Sequence, residues 1–284
     1  MKNINVYISF VLIVVLLPMN ALSASFLDTI TSMDLVLVKG GEYKRGDGSG
    51  LGRSNERPAH SVQIADFYIG KYEVTVNQFQ KFVDDTGYLT ASEKRGWVLD
   101  IDPAMGAATR RNGISWKNPG FEQNGKHPVV WVDWNDAVAF AVWLSSKTGE
   151  RYNLPTEAQW EYAAKAAGSS RWAGTSEAKK LPNLAWFNAN SSKVTHEVGL
   201  LAPNRFGIHD LSGNVWEWCL DGYYDYKNAP HTLEDPIVRV GDTRIIRGGS
   251  WRVAAPLVTT TYRSGYKPDY SHSSMGFRLV KKKD

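Results

Sequence analysis

The stretch FGIHDLSGNVWEWCLDGYYDY, from Phe206 to Tyr226, gathers side chains able to hold a cation. Asp210, Glu217 and Asp221 offer hard oxygen ligands, while Gly213 and Asn214 permit a tight turn that would aim intervening carbonyls at one point. Calcium takes roughly six to eight such oxygens, from carboxylates and main chain together. Gly-Asn ahead of an aromatic strand is also an ordinary hairpin turn, so the spacing leaves both readings open. A second group, Trp216, Ser250, Trp251, Arg252, Tyr262, Arg263, Tyr266 and Tyr270, interleaves aromatic faces with guanidinium groups. That mixture suits a peptide or ring-bearing ligand, through stacking and charge-assisted hydrogen bonds. Core packing is the competing role for Trp216 and Trp251, and structural pairing is expected for Arg247 and Arg278. Cys219, the single cysteine, reads as a small buried hydrophobe. The six histidines make no close pair of the kind a metal site on one helix uses.

Elements to position these residues follow from periodicity. LVLVKGGEYK (Leu35 to Lys44) reads as a strand, and VQIADFYIG (Val62 to Gly70) as its neighbour. Thr75 with Gln78, Asp133, and Thr156 with Gln159 mark three helix starts, each followed by apolar residues at helical spacing. Beyond Gly168 only short strands show, at Val215 to Trp218, Arg244 to Arg247 and Gly276 to Val280, separated by long loops. The class is therefore α+β with little regular structure, and the second half is where a site is expected.

Lys2, the apolar run from Val6 to Leu17 and the small residues Ala21, Ser23 and Ala24 have the layout of a signal peptide. The expected organisation is a signal peptide over 1–24, a linker over 25–34 and one domain over 35–284. The mature protein is then secreted or periplasmic, with no stable membrane span after cleavage; a lone transmembrane anchor is the competing reading, for which the apolar run is short of the ~20 residues a span needs. A net charge of +4 is diffuse apart from Lys281, Lys282 and Lys283, so a nucleic-acid role lacks its electrostatic footprint. One cysteine allows no internal disulfide, leaving stability to a large core or to bound ions.

HPVVWVDWNDAVAFAVWLSSKTGERYNLPTEAQWEYAAKAA, PNRFGIHDLSGNVWEWCLD, RIIRGGSWR and the closing GFRLV occur in the order and rough spacing of a known family. From Leu35 to Val280 the chain resembles the formylglycine-generating enzyme, or sulfatase-modifying factor, family. That resemblance implies an irregular variant of the C-type lectin fold. Relatives include sulfatase activators, iron-dependent sulfoxide synthases, a periplasmic oxidase of pyoverdine maturation and binding proteins. It also implies a structural calcium site on the side chains of Asp210 and Glu217 and the carbonyls of Gly213 and Val215. A second family calcium site would begin at Asn183 and Leu184, but its acidic half has no clear counterpart here. Sulfatase activators carry two copper-binding cysteines after RGGS. Counting from Ser250 places Val253 and Val258 at those positions, another register offers Ala255, and none offers cysteine. The formylglycine-generating reaction is therefore expected to be absent, and any redox metal is unidentified. Two functions stay open: a periplasmic maturation oxidase acting on a peptide-derived substrate, or a non-catalytic lectin-like module that recognises a peptide, glycan or partner protein.

Overall fold

In a computed structural model, which describes residues 25–101, 108–228 and 234–283, the chain opens inside a sheet. The expected signal peptide, residues 1–24, lies outside the described residues. β1 (Ser25–Leu27) pairs antiparallel with β2 (Asp34–Val38), so residues 25–34, expected as a linker, belong to the fold. The run expected as one strand from Leu35 to Lys44 divides into β2 and β3 (Gly41–Arg45), and its neighbour divides into β4 (His60–Ile64) and β5 (Phe67–Gly70). β2 pairs with β5 and β3 with β4, so the two runs still meet but in separate sheets. The division has a local cause. Asp66 accepts from the Gly40 amide at 2.9 Å, and a Cβ on residue 40 would sit 2.0 Å from the Ile64 carbonyl oxygen. Only glycine allows the two backbones to approach this closely.

Three helices form where their caps announce them. α1 (Val76–Thr86) starts at Thr75, whose hydroxyl accepts from the Gln78 amide. The short α2 (Ala91–Arg95) leads into the hairpin of β6 (Trp97–Ile101) and β7 (Ala108–Asn112), which periodicity does not signal. Next, α3 (Trp134–Thr148) is capped by Asp133, β8 (Tyr152–Asn153) follows, and α4 (Glu157–Lys165) is capped by Thr156. The remaining strands are β9 (Trp216–Gly222), β10 (Arg244–Arg247), β11 (Ser264–Tyr266), β12 (Met275–Gly276) and β13 (Val280–Lys282).

Two sheets organise the molecule, one in the order β1-β2-β5-β13-β8 and one in the order β11-β10-β9-β12. Strand β9 separates two apolar cores because successive strand side chains point to opposite faces. Trp216 and Trp218 pack with Phe79, Phe140 and Phe277 from α1, α3 and the chain end. Cys219 faces the other way, among Ile64, Ala163 and Ile245. The loops that build the site hang from the ends of β9 and β10.

Candidate functional site

At the turn before β9 the backbone is left-handed at Asp210, Gly213 and Asn214, with φ of 60°, 87° and 52°. Gly213 is sterically required, since a Cβ there would lie 2.1 Å from the Trp186 carbonyl oxygen. Asn214 locks the turn by donating to Glu73 Oε2 at 2.6 Å and accepting from the His196 amide at 3.0 Å. Glu73 also takes the Val215 amide at 3.0 Å. Glu217 receives a bidentate contact from Arg278 at 2.6 and 2.7 Å, and the Trp160 indole N–H at 2.7 Å.

Three buried carboxylates, Glu73, Asp210 and Glu217, thus lie in the field of one guanidinium, Arg278, which pairs directly with Glu217. Burial, then the charges of Asp210 and Glu217, push the Glu73 carboxyl well above the usual range. Burial raises Asp210 to about 6. Asp210 Oδ2 accepts from the Gly199 amide at 2.8 Å, while Oδ1 is buried with no hydrogen-bond partner. An orphan carboxylate oxygen amid excess negative charge fits a hard cation. Asp221 does not contribute. It lies at the far end of β9, where its carboxylate accepts from the Glu157 and Val238 amides. Among the described residues no group of three or more His, Cys, Asp or Glu is arranged to hold a metal ion, so a cation here would draw on main-chain oxygens as well.

The segment after the RGGS motif is built around its two valines. Val258 is fully buried in a cluster with Trp172, Leu181, Ala185 and Phe187, and Val253 packs against the same cluster. Both valines, which the count from Ser250 set at the expected cysteine positions, therefore serve one apolar contact. Cys219 is no substitute, because it is buried in β9 and burial drives its thiol well above the ordinary value. A thiol held protonated is a poor nucleophile and metal ligand.

Around this segment the expected ligand contacts divide. Trp216 and Tyr262 touch, with ring centroids 5.6 Å apart, and both are nearly buried. Ser250 is buried, and its hydroxyl accepts from the Arg252 amide at 3.3 Å. Trp251 packs on Phe121 at 5.8 Å and donates to the Ser273 carbonyl. Arg252 enters a polar knot, lying 3.0 Å from His272 Nε2, 3.0 Å from Ser273 Oγ and 3.4 Å from Asp100, whose other oxygen takes Arg111 at 2.9 Å. Burial and the Arg252 charge hold His272 down at about 4. Its Nδ1 stands 2.8 Å from Ser274 Oγ and 3.2 Å from the Ser274 amide, while Nε2 faces the Arg252 guanidinium.

Arg263 stands apart from the other expected contacts. It is 1% exposed, bidentate to Glu157 at 2.7 and 2.6 Å, and its remaining nitrogen donates to the Asn55 and Tyr224 carbonyls. With every edge of the guanidinium engaged, it is a core ion pair and not a wall of the cleft. Arg247 and Arg278 are paired as expected, with Glu161 and Glu217. Arg247 also donates to the carbonyls of Thr260, Thr261 and Tyr262, fixing that loop from behind.

The fixed loop forms one wall of an open cleft of about 770 Å³, lined by Pro256, Leu257 and residues 259–262. Facing walls come from the loop over 46–53 and the turn over 168–171. That volume falls within the roughly 300–1,000 Å³ of ligand sites. Arg53, which lies 4.8 Å over the Tyr262 ring, and Arg171 were not foreseen, because nothing local marks a residue distant in sequence as a partner of the RGGS segment.

A loop-rich α+β domain with this cap, turn and RGGS geometry has the architecture of a formylglycine-generating-enzyme-like protein. The sulfatase-modifying factor enzyme 1-like domain matches residues 24–283, and the chain belongs to that family. It is 32% identical to a formylglycine-generating enzyme of Thermomonospora curvata, over 87% of this chain and 92% of that protein. Among solved structures it resembles PvdO from Pseudomonas aeruginosa with a TM-score of 0.75 and 28% identity, over 92% of this chain and 98% of that one. It also resembles variable protein 1 of Treponema denticola, with a TM-score of 0.73 and 27% identity, over 92% and 99% of the two chains.

Proposed function

We propose that this protein is an exported maturation enzyme of oxidoreductase type, which acts on a peptide-derived substrate bound along the Ser250–Tyr262 segment and needs no thiolate pair of its own. The observation that carries this reading is the packing of Val253 and Val258 onto one apolar cluster within a chain that otherwise keeps the family's fold. The likeness to PvdO supports the maturation role. Export rests on Lys2, the apolar run and the small residues before Ser25. N-terminal sequencing of periplasmic or secreted protein should begin near Ser25, and intact Met1 protein in the cytoplasm would defeat it.

Calcium is part of the proposal. Asp210 and Glu217 would hold it through side chains, and Gly213 and Val215 through carbonyls. Bound there, the ion supplies positive charge that the three carboxylates lack and fixes the turn from which β9 and the Trp216 side chain depart.

The test is incubation of purified protein with a sulfatase-type Cys-x-Pro-x-Arg peptide and copper, read by mass spectrometry. The peptide should return unchanged. Conversion of its cysteine to the aldehyde would overturn the assignment. A second reading, a non-catalytic binding module, is favoured by the likeness to a variable protein. It predicts saturable binding of a natural peptide with no change in that peptide's mass.

A further inference from the structure

Arg45, Arg247, Arg263 and Arg278 each hold a buried carboxylate. Arg53 and Arg171, which line the 770 Å³ cleft, hold none among the described residues. Their guanidinium groups lie over the rings of Tyr262 and Trp172 at 4.8 and 5.0 Å. Such stacking orients the planar group while leaving its N–H edge for a carboxylate.

The acidic lining residues, Asp47 and Glu56, are engaged by other donors and make no ion pair with either arginine among the described residues. Asp47 accepts from the amide and hydroxyl of Ser49 and from the Gly52 amide. Glu56 accepts from the Arg53 amide and the Thr261 hydroxyl. The Lys165 ammonium is spent on the carbonyls of Lys44 and Gly46 and on Glu161, so it adds no free charge. What a ligand meets is two guanidiniums without a carboxylate partner among the described residues, above an apolar floor that includes Pro256 and Leu257.

The geometry points to a carboxylate-bearing peptide as the occupant of this cleft, selected by Arg53 and Arg171. This rests on the reading that the cleft takes a peptide-derived substrate, and it names the charge that substrate carries. An arginine-bearing peptide of the sulfatase type would meet like charge here.

Calorimetric titration of the full chain with the pentapeptides Glu-Glu-Tyr-Glu-Glu, Gln-Gln-Tyr-Gln-Gln and Lys-Lys-Tyr-Lys-Lys tests it. The acidic peptide should bind at least about tenfold more tightly than its amide isostere, the scale of one charge-assisted contact. That preference should shrink in high salt. Arg53→Ala and Arg171→Ala should each cost the acidic peptide about tenfold and leave the amide peptide unchanged. Lys179→Ala, an exposed change away from the cleft, should alter neither. Equal affinity for all three peptides, with both arginine variants silent, would overturn the charge selection while leaving a peptide cleft standing. No binding by any of the three would overturn both.

Discussion

At the scale of single residues, the structure reassigns side chains that look alike in sequence. Arg252 and Arg263 both follow the RGGS motif, yet only Arg252 reaches the polar knot with His272. Arg263 is buried against Glu157. Removing one partner of a buried ion pair strands the other charge, so Arg263→Ala should lower unfolding free energy by about 3–5 kcal/mol. Urea denaturation would read that loss, and a change under 1 kcal/mol would place Arg263 outside the core. Cys219→Ser should leave peptide binding intact, since the thiol is far from ionising and packs in the second core. The turn proposed to hold calcium needs a more selective probe than Glu217, whose carboxylate also holds Arg278 and Trp160. Asp210→Asn keeps the hydrogen bond to Gly199 available and removes the orphan charge. The variant should melt alike with and without chelator, and persistent chelator sensitivity would move the ion elsewhere.

Elements are held by features of two kinds, one local and one long-range. Caps are local: Thr75, Asp133 and Thr156 each accept from the amide three residues on, and Thr75→Ala or Thr156→Ala should cost about 1 kcal/mol. The His272 knot is long-range, joining the β6–β7 hairpin through Asp100 to the segment after RGGS through Arg252. Its pH dependence has a definite sign. Burial and the Arg252 charge hold the folded histidine down at about 4, and in the unfolded chain it returns to its ordinary value near 6.5. The unfolded chain therefore gains a proton first as pH falls, and the stability contributed by neutral His272 is present above 6.5 and lost toward 4. Between pH 7 and 4.5 the wild type should lose about 2–3 kcal/mol more than His272→Gln does. Parallel losses in the two proteins would show that the imidazole accepts a proton freely in the folded state. Legibility follows the same division. Helix starts and β10 were readable because caps and a short β-branched run are written within a few residues. The break at Gly40, the β6–β7 hairpin and the strand at residues 25–27 were not, because each depends on a partner strand or a backbone approach from elsewhere.

Across the whole molecule, the two cores meet at β9, and β9 is also where the turn proposed to hold calcium ends. Calcium binding to the folded state alone would add RT ln(1 + [L]/Kd), about 2.7 kcal/mol at a hundredfold excess over Kd. Because both cores share that strand, chelator should lower the melting temperature of one transition without splitting it. Two separate transitions in scanning calorimetry would mean that the cores unfold independently.

Order and type of motif, written along the chain, were enough to determine the family, the α+β class, the three long helices and the presence of a single cysteine. Those are properties of neighbouring residues, or of residue identity itself. Tertiary structure alone decided which charges are satisfied. Glu73 joins Asp210 and Glu217 across more than a hundred positions of sequence, and Asp221, close to Glu217 in the chain, is carried away along β9. The cleft was hidden for the same reason, since Arg53 stacks on Tyr262 only once the first and last thirds of the chain are folded together. Electrostatic pairing depends on distance in space, and sequence spacing reports that distance only within a single helix, strand or turn.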